Sequence, residues 1–363
     1  MRKIHVTLDR QSYDIIIGKG AVARLSVFIK RAGFTGPLVV IIDKKIASKK
    51  SGSLYRVLGS LPNKKIFIKI DGSERSKSIA TYHKTISDIS RRSGMFKPLI
   101  VAVGGGVTGD LAGFVAATYR RGVPFIQVPT TLLAQVDSSI GGKTGIDIPE
   151  AKNIIGSFKQ PQAVFIDTEF LMTLPKRQVA NGLAEVIKYG VINSRSLFMQ
   201  LEKRMKDILA LDLELLEKII YSSALIKAEV VQRDEFDCKD MRIFLNFGHT
   251  FGHAVEAAGA FSARYNHGEA VAIGMLMASE LAVMMGLIRA PELGRLKKII
   301  IAAGLPDHAS GVSRAKVLKA LKYDKKFTGG ANRFILPVNI GLVKVFENIP
   351  DVLIMDIIKK YIR

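Results

Sequence analysis

The sequence predicts an α/β N-terminal domain over residues 1–173 followed by a mainly α-helical C-terminal domain over 174–363. Three observations lead there. At roughly 150 residues per domain, a chain of 363 residues makes two domains the default. The first half alternates short β-rich runs with helical patterns, as a parallel sheet covered by helices requires. After Thr173 long helical stretches take over.

Each expected strand is an apolar run closed by a turn signal. Residues 38–42 end at Asp43, 65–70 at Asp71-Gly72, and 99–103 run into Gly104-Gly105-Gly106. Residues 125–128 are closed by Pro129, and 163–166 end at Asp167. Polar and glycine residues thus gather after strand carboxyl ends, where open α/β sheets hold ligands. In the second half, helical patterns cover 178–193, 196–217, 219–233, 250–258, 269–285 and 290–303, and only 332–337 and 343–346 read as strands. Residues 270–288 are apolar apart from glycines, Ser279 and Glu280. A carboxylate at the centre of a membrane span costs about 2.5–3.5 kcal/mol, so this segment reads as a buried helix.

Hydrophobic residues at 48% and charged residues at 24% describe a globular chain, not a disordered one. The start, Met1-Arg2-Lys3-Ile4-His5-Val6-Thr7, lacks the apolar core of a signal peptide. The single cysteine, Cys238, excludes an internal disulfide framework and a multi-cysteine zinc site. A soluble, cytoplasmic protein is expected. Its 54 basic and 32 acidic residues leave a net charge of +22, which suits nucleic acid, an anionic membrane or an acidic small substrate. The basic residues come as scattered pairs, with no basic arm, no tryptophan and no nucleic-acid motif. The expectation is therefore a small-molecule substrate, with neither nucleic acid nor membrane as partner.

Gly104-Gly105-Gly106-Val107-Thr108-Gly109-Asp110 satisfies G-x-G-x-x-G after a strand and before a helical pattern, the Rossmann-like arrangement for NAD. The usual acidic ribose partner is missing, because nothing from Leu111 to Val136 is acidic, and Asp43 is the substitute. A glycine turn needed only for packing would look the same. Three of the six histidines, His249, His253 and His267, fall within nineteen residues. His249 and His253 share a helix face, and Glu185 in an apolar helix is the candidate carboxylate for a zinc set. Buried structural histidines are the competing reading. Lys143 lies in Ser138-Ser139-Ile140-Gly141-Gly142-Lys143-Thr144-Gly145, a glycine-rich anion-cradling loop. It is not a P-loop, since Asp137 stands where that motif needs glycine.

The block 104–110, Arg121-Gly122-Val123, the run from Gln127 to Thr144, Gly182-Leu183-Ala184-Glu185-Val186-Ile187-Lys188-Tyr189-Gly190, and the 246–253 and 267–274 blocks closely resemble 3-dehydroquinate synthases. The resemblance spans about residues 43–340. It implies a dehydroquinate synthase-like fold and an NAD-dependent, zinc- or cobalt-containing homodimeric lyase of the shikimate pathway. The implied reaction converts 3-deoxy-D-arabino-heptulosonate 7-phosphate to 3-dehydroquinate and phosphate. Oxidation at C5, elimination of phosphate, return of the hydride, ring opening and aldol closure would follow in turn. By matching positions the resemblance implies Glu185, His249 and His267 as metal ligands, with His253 beside them as a hydrogen-bonding or proton-relaying group. This replaces the pairing of His249 with His253 that spacing suggests. Arg121, Asp137, Lys143, Lys152, Asn153, Lys188, Lys227, Arg242 and Asn246 match substrate positions, and one of Lys325 and Lys326 matches a phosphate contact. Asp43, the turn Asp71-Gly72-Ser73-Glu74-Arg75-Ser76-Lys77, Gly105 to Asp110, Thr130-Thr131, Lys143, Lys152 and Phe170-Leu171-Met172-Thr173 match positions around NAD. Cationic side chains suit a substrate that is both carboxylate and phosphate ester. Other sugar-phosphate cyclases, which resemble the synthases but differ at Asn246 or His253, and metal-dependent polyol dehydrogenases are the rival classes.

Overall fold

The computed structural model describes residues 1–48, 52–149, 151–259, 264–323 and 332–363. It divides into two compact units, Met1–Leu174 with Leu213–Phe236, and Pro175–Asp212 with Asp237–Arg363.

The first unit is built on seven strands, β1 (Arg2–Val6), β2 (Tyr13–Ile17), β3 (Leu38–Asp43), β4 (Lys65–Ile70), β5 (Leu99–Gly104), β6 (Phe125–Pro129) and β9 (Ala163–Ile166). Their order is β1-β2-β9-β6-β5-β3-β4, parallel except for β1, which pairs antiparallel with β2 at one edge. Strands covered on both faces read as unbroken apolar runs, which is why β3, β5, β6 and β9 are visible in the sequence. Successive side chains point to opposite faces. Leu38, Val40 and Ile42 meet Leu25, Ile29, Leu54 and Leu58 on one side. Val39 and Ile41 meet Ile89, Leu111 and Val115 on the other. The helices in the N-terminal stretch of this unit are α1 (Arg24–Arg31), α2 (Lys44–Ala47), α3 (Ser53–Gly59), α4 (Ile79–Ser93) and α5 (Gly106–Thr118).

Three features depart from the sequence reading. Strand β1, at the sheet edge, and β2 beside it carry too few consecutive apolar residues to stand out. The segment read as a glycine loop instead opens a hairpin, β7 (Lys143–Ile148) and β8 (Ala151–Phe158), whose second strand is largely exposed and so has no apolar signature. The helix expected over 196–217 breaks at Leu211, whose φ of 63° is left-handed. After α6 (Lys176–Ile192), α7 (Arg195–Leu209) stops there, and α8 (Leu213–Arg233) runs on without interruption. Helix α8 packs on β1 and on the π-helical turn Ala134–Ser138 and belongs to the first unit. A single cut near residue 173 would place it in the second.

The second unit holds α6 and α7 with α9 (His249–Ala258), α10 (His267–Met284), α11 (Ala290–Ala302), α12 (Arg314–Tyr323), α13 (Asp351–Tyr361) and the hairpin β10 (Arg333–Asn339) and β11 (Leu342–Glu347). Helix α10 packs against α6, α9, α11, α13 and β10 and is buried over most of its length. It is the apolar segment that hydropathy singles out, and its surroundings are those of a core helix.

Glycine sets how closely α9 and α10 approach. A Cβ on Gly274 would collide with the carbonyl oxygen of Gly248 and lie 2.7 Å from the Gly252 nitrogen. Because backbone cannot swing aside, Gly274→Ala should lose at least about 1–3 kcal/mol of stability. Gly294 in α11 has nothing within 4 Å, so Gly294→Ala should be neutral or gain up to about 1 kcal/mol. Denaturation midpoints compare them, and equal midpoints would show that Gly274 does not set the spacing.

Candidate active site

Helix α6 is buried from Val179 to Ile192 and carries Glu185 into an apolar interior with 1% of its surface exposed. An ionised carboxylate there requires cations around it. Lys188, one turn further and 2% exposed, sets its Nζ against Oε2. His267, the first residue of α10, brings Nε2 to 3.0 Å from Oε1, and His249, the first of α9, brings Nε2 to 3.6 Å from the same oxygen. Burial alone would raise the Glu185 pKa, but Lys188, His249 and His267 together hold it well below the carboxylate range.

The two histidines differ in charge. His249 Nδ1 lies 3.1 Å from the Phe247 carbonyl, so a neutral ring donates there and keeps its lone pair on Nε2. Burial pushes its pKa well down despite Glu185, and the neutral Nε2 then faces Oε1 as acceptor against acceptor. A cation between them removes that conflict. Zinc bonds of about 2.0–2.2 Å at tetrahedral angles place ligand atoms roughly 3.4 Å apart, near the 3.0 and 3.6 Å observed. All three donor atoms lie within 4.8 Å of one another, so the set fits a divalent ion. Burial opposes charge on His267, yet hydrogen bonding to Glu185 and Glu256 raises its pKa to about 10. This corner therefore attracts positive charge. Glu256 Oε2, 3.7 Å from His267 Nδ1, is a neighbour that the sequence reading missed. Its signal was the spacing of three from His253 on one helix. His253 lies on the exposed flank, its ring 5.3 Å from that of His249 and 6.3 Å from that of His267. His253, Glu256 and His267 form a second group of close donors, sharing His267 but lacking the buried carboxylate.

In the first unit, β5 ends at Gly104 and α5 starts at Gly106, which leaves the unpaired N–H groups of a helix N-terminus at a strand carboxyl end. A Cβ on Gly106 would meet only Ser138 Oγ, at 3.0 Å, and one on Gly105 only the Thr131 side chain. Asp43 caps α2 through the Lys45 N–H at 2.7 Å, and a Cβ on Gly72 would collide with its carboxylate. A cavity of about 170 Å³ is lined by residues including Ile46, Leu54, Tyr55, Phe170 and Thr173. Phe170, Leu171, Met172 and Thr173 belong to a 3-10 helix capped by Asp167.

Lys77, 4% exposed, pairs with Asp110 at 2.9 Å and donates to Asn153 Oδ1. Asn153 takes a left-handed φ of 54°, and its N–H donates to Asp147 Oδ1 at 2.7 Å. The β7–β8 hairpin that carries Lys143 and Lys152 is thus tied to the turn ending at Lys77. Asp137, in the π-helical turn, pairs with Lys227 at 2.9 Å. Lys227 therefore belongs with the sheet, although the sequence reading places it in the helical half. Arg121 and Arg120 are both left-handed, with φ of 63° and 49°.

Residues 67–181 match the family model for the N-terminal part of 3-dehydroquinate synthase, and residues 182–327 match that for its C-terminal part. The 3-dehydroquinate synthase of Dictyoglomus thermophilum is 48% identical over 368 residues, covering 99% of this chain and 97% of that one. The chain belongs to the 3-dehydroquinate synthase family. Among solved structures it is similar to 2-epi-5-epi-valiolone synthase from Streptomyces hygroscopicus subsp. jinggangensis 5008 with NAD+ and Zn2+ bound. That structure gives a TM-score of 0.88 at 27% identity and 98% coverage of both chains. A 2-deoxy-scyllo-inosose synthase complexed with carbaglucose-6-phosphate, NAD+ and Co2+ gives a TM-score of 0.86 at 25% identity, covering 99% of this chain and 100% of that one.

For the remaining positions suggested by resemblance to the synthase family, Arg242 is buried and precedes the 3-10 turn Ile243–Asn246, which ends at Asn246 itself. Thr130 is buried, and its N–H donates to Gly104 O at 2.9 Å. Lys325 and Lys326 lie outside the described residues.

Burial raises the Asp110 carboxyl from its ordinary 3.8 to about 6, against the pull of Lys77. A folded value above the unfolded one means that folding takes up a proton. This group's contribution to stability is full below about pH 4 and is lost as pH rises through about 6. Asp110 should titrate near 6 in carbon-13 NMR, and Lys77→Met should move it higher. Titration of Asp110 below 4 in that variant would show that the ammonium is not its counterion.

Proposed function

We propose that the chain is a cytoplasmic, homodimeric 3-dehydroquinate synthase that converts 3-deoxy-D-arabino-heptulosonate 7-phosphate to 3-dehydroquinate and phosphate. Membership of the synthase family supports the reaction. The geometric observation that carries it is the buried Glu185 carboxylate with His249 and His267 at 3.6 and 3.0 Å. These three residues would hold zinc or cobalt, either of which suits two imidazoles and a carboxylate. The N–H groups at the start of α5 would receive the NAD pyrophosphate, with the adenosine toward Asp43 and the cavity lined by Tyr55 and Phe170. When bound, the divalent ion polarises the substrate hydroxyls and NAD takes up and returns a hydride, so no net oxidant is consumed.

The chain's own residues do the rest. Lys188 keeps Glu185 ionised and ready to ligate. Glu256 and the Phe247 carbonyl orient the two rings through their Nδ1 atoms. Lys143 and Lys152 on the hairpin, with Arg121, Lys227, Arg242 and Asn246, bind the phosphate and carboxylate as charge-assisted donors. His253 exchanges a proton at its ring nitrogen with a substrate hydroxyl. Lys325 or Lys326 contributes a further phosphate contact.

Purified protein supplied with the heptulosonate phosphate, NAD and zinc should release one phosphate per 3-dehydroquinate, with no net NADH. Net NADH accumulation would instead indicate a polyol dehydrogenase. His267→Ala should lose stoichiometric zinc. Gly106→Ala, where only a serine hydroxyl must shift, should keep the fold and weaken NAD by about tenfold or more. Full activity in both variants would overturn the site assignments.

A further inference from the structure

Helix α6 reaches the first turn of α10 from three positions spaced four residues apart. Arg177 donates through Nε and Nη2 to the two carboxylate oxygens of Glu269, at 2.7 and 2.8 Å, and through Nη2 to the Arg264 carbonyl at 3.0 Å. Asn181 accepts the Gly268 N–H on its Oδ1 at 2.6 Å. Glu185 meets His267 at 3.0 Å. The three opening residues of α10, 267, 268 and 269, are thus each tied to a different turn of α6. The same turn is closed by a capping box, in which Asn266 Oδ1 accepts the Glu269 N–H at 2.9 Å and Glu269 Oε2 accepts the Asn266 N–H at 2.9 Å. Gly268 is required there, since a Cβ would stand 2.8 Å from the Asn181 Cα.

We infer that Arg177 and Asn181 are positioning residues for the metal corner: they fix the α10 turn that aims His267 Nε2 at Glu185. The inference rests on Glu185, His249 and His267 being the ligands. A histidine at the first position of a helix sits where helices fray, and ligand geometry must be held to within about 0.5 Å. Arg177 is 55% exposed, so its pair with Glu269 adds little to stability. Its two parallel hydrogen bonds fix direction. Asn181 supplies the buried anchor, a carboxamide oxygen on a helix-start N–H that has no partner within its own helix. A merely structural pair would act on stability, whereas a positioning pair acts on metal affinity.

The test uses full-length, metal-free protein and zinc in competition with a chromophoric chelator. Wild type should bind one zinc, and Glu185→Gln should lose it. Arg177→Met and Asn181→Ala should each weaken zinc about 10–100-fold, while the metal-free Tm of Arg177→Met stays within about 2 °C of wild type. Arg177→Lys, with charge but no fork, should recover only part of the affinity. The visible bands of the cobalt form should shift in Arg177→Met. Zinc affinity within about twofold of wild type in both variants would overturn the positioning role alone. Absence of zinc from wild type would overturn the ligand reading and the inference with it.

Discussion

A carboxylate enclosed by a buried helix stays ionised only if the fold delivers cations to it, and Glu185 imposes that requirement on the whole second unit. Lys188 comes from the same helix, but the two imidazoles begin two other helices, α9 and α10. All three must therefore converge on one point. The close passage of α9 over α10 at Gly248, Gly252 and Gly274 serves that convergence, because larger residues would hold the helices apart. The close approach of these helices and the chemistry of the corner meet at a single charge. Burial drives His249 toward its neutral form while Glu185 and Glu256 favour the charged form of His267, so the two rings meet the carboxylate unevenly. A divalent ion would satisfy both sides at once.

The first unit solves a different problem, that of holding polar groups at the carboxyl edge of an apolar sheet. Asp43 after β3 caps α2, and Asp167 after β9 accepts from Gly20, Val22 and Glu169. Glycine follows β5, and Thr130 after β6 donates back to Gly104. Buried Lys77, paired with the half-buried Asp110 and with Asn153, then joins this edge to the β7–β8 hairpin. Burial acts against charge on Asp110, and Lys77 offsets part of that penalty. The gain of this pairing is placement of a hairpin whose second strand is largely exposed and buries too little apolar surface to fix itself.

How far the sequence could be read follows from the same physics. The central strands were legible because burial on both faces makes them uniformly apolar. β1, β2 and the β7–β8 hairpin were not, since their exposed or half-buried positions interrupt the apolar run. The break at Leu211 carries no glycine or proline to announce it, so two helices read as one and Lys227 fell into the wrong unit. At the metal corner, spacing gathers three histidines but favours His249 with His253, which share a face. Space favours His249 with His267, because α10 returns to α9 through contacts distant in sequence. The family resemblance supplied that pairing. The N-x-x-E capping box at Asn266 was present in the letters and marks the α10 start, yet only the fold shows that α6 grips it.

The metal corner does not by itself distinguish a 3-dehydroquinate synthase from its structural neighbours. The valiolone synthase carries bound NAD+ and Zn2+ on a fold that superposes with a TM-score of 0.88, so fold and cofactors are common ground across different sugars. A fold hosts many reactions, and the substrate is chosen by the groups that face it. The residues proposed for that role lie mostly in irregular segments of their own units: a left-handed Arg121, a π-helical Asp137, a hairpin with Lys143 and Lys152, and a 3-10 turn ending at Asn246. Lys227, inside α8, is the exception among them. Irregular backbone at such positions costs stability and persists where it aims a side chain. The shared scaffold needs apolar pattern and a few glycines, whereas substrate choice needs particular residues at the irregular positions.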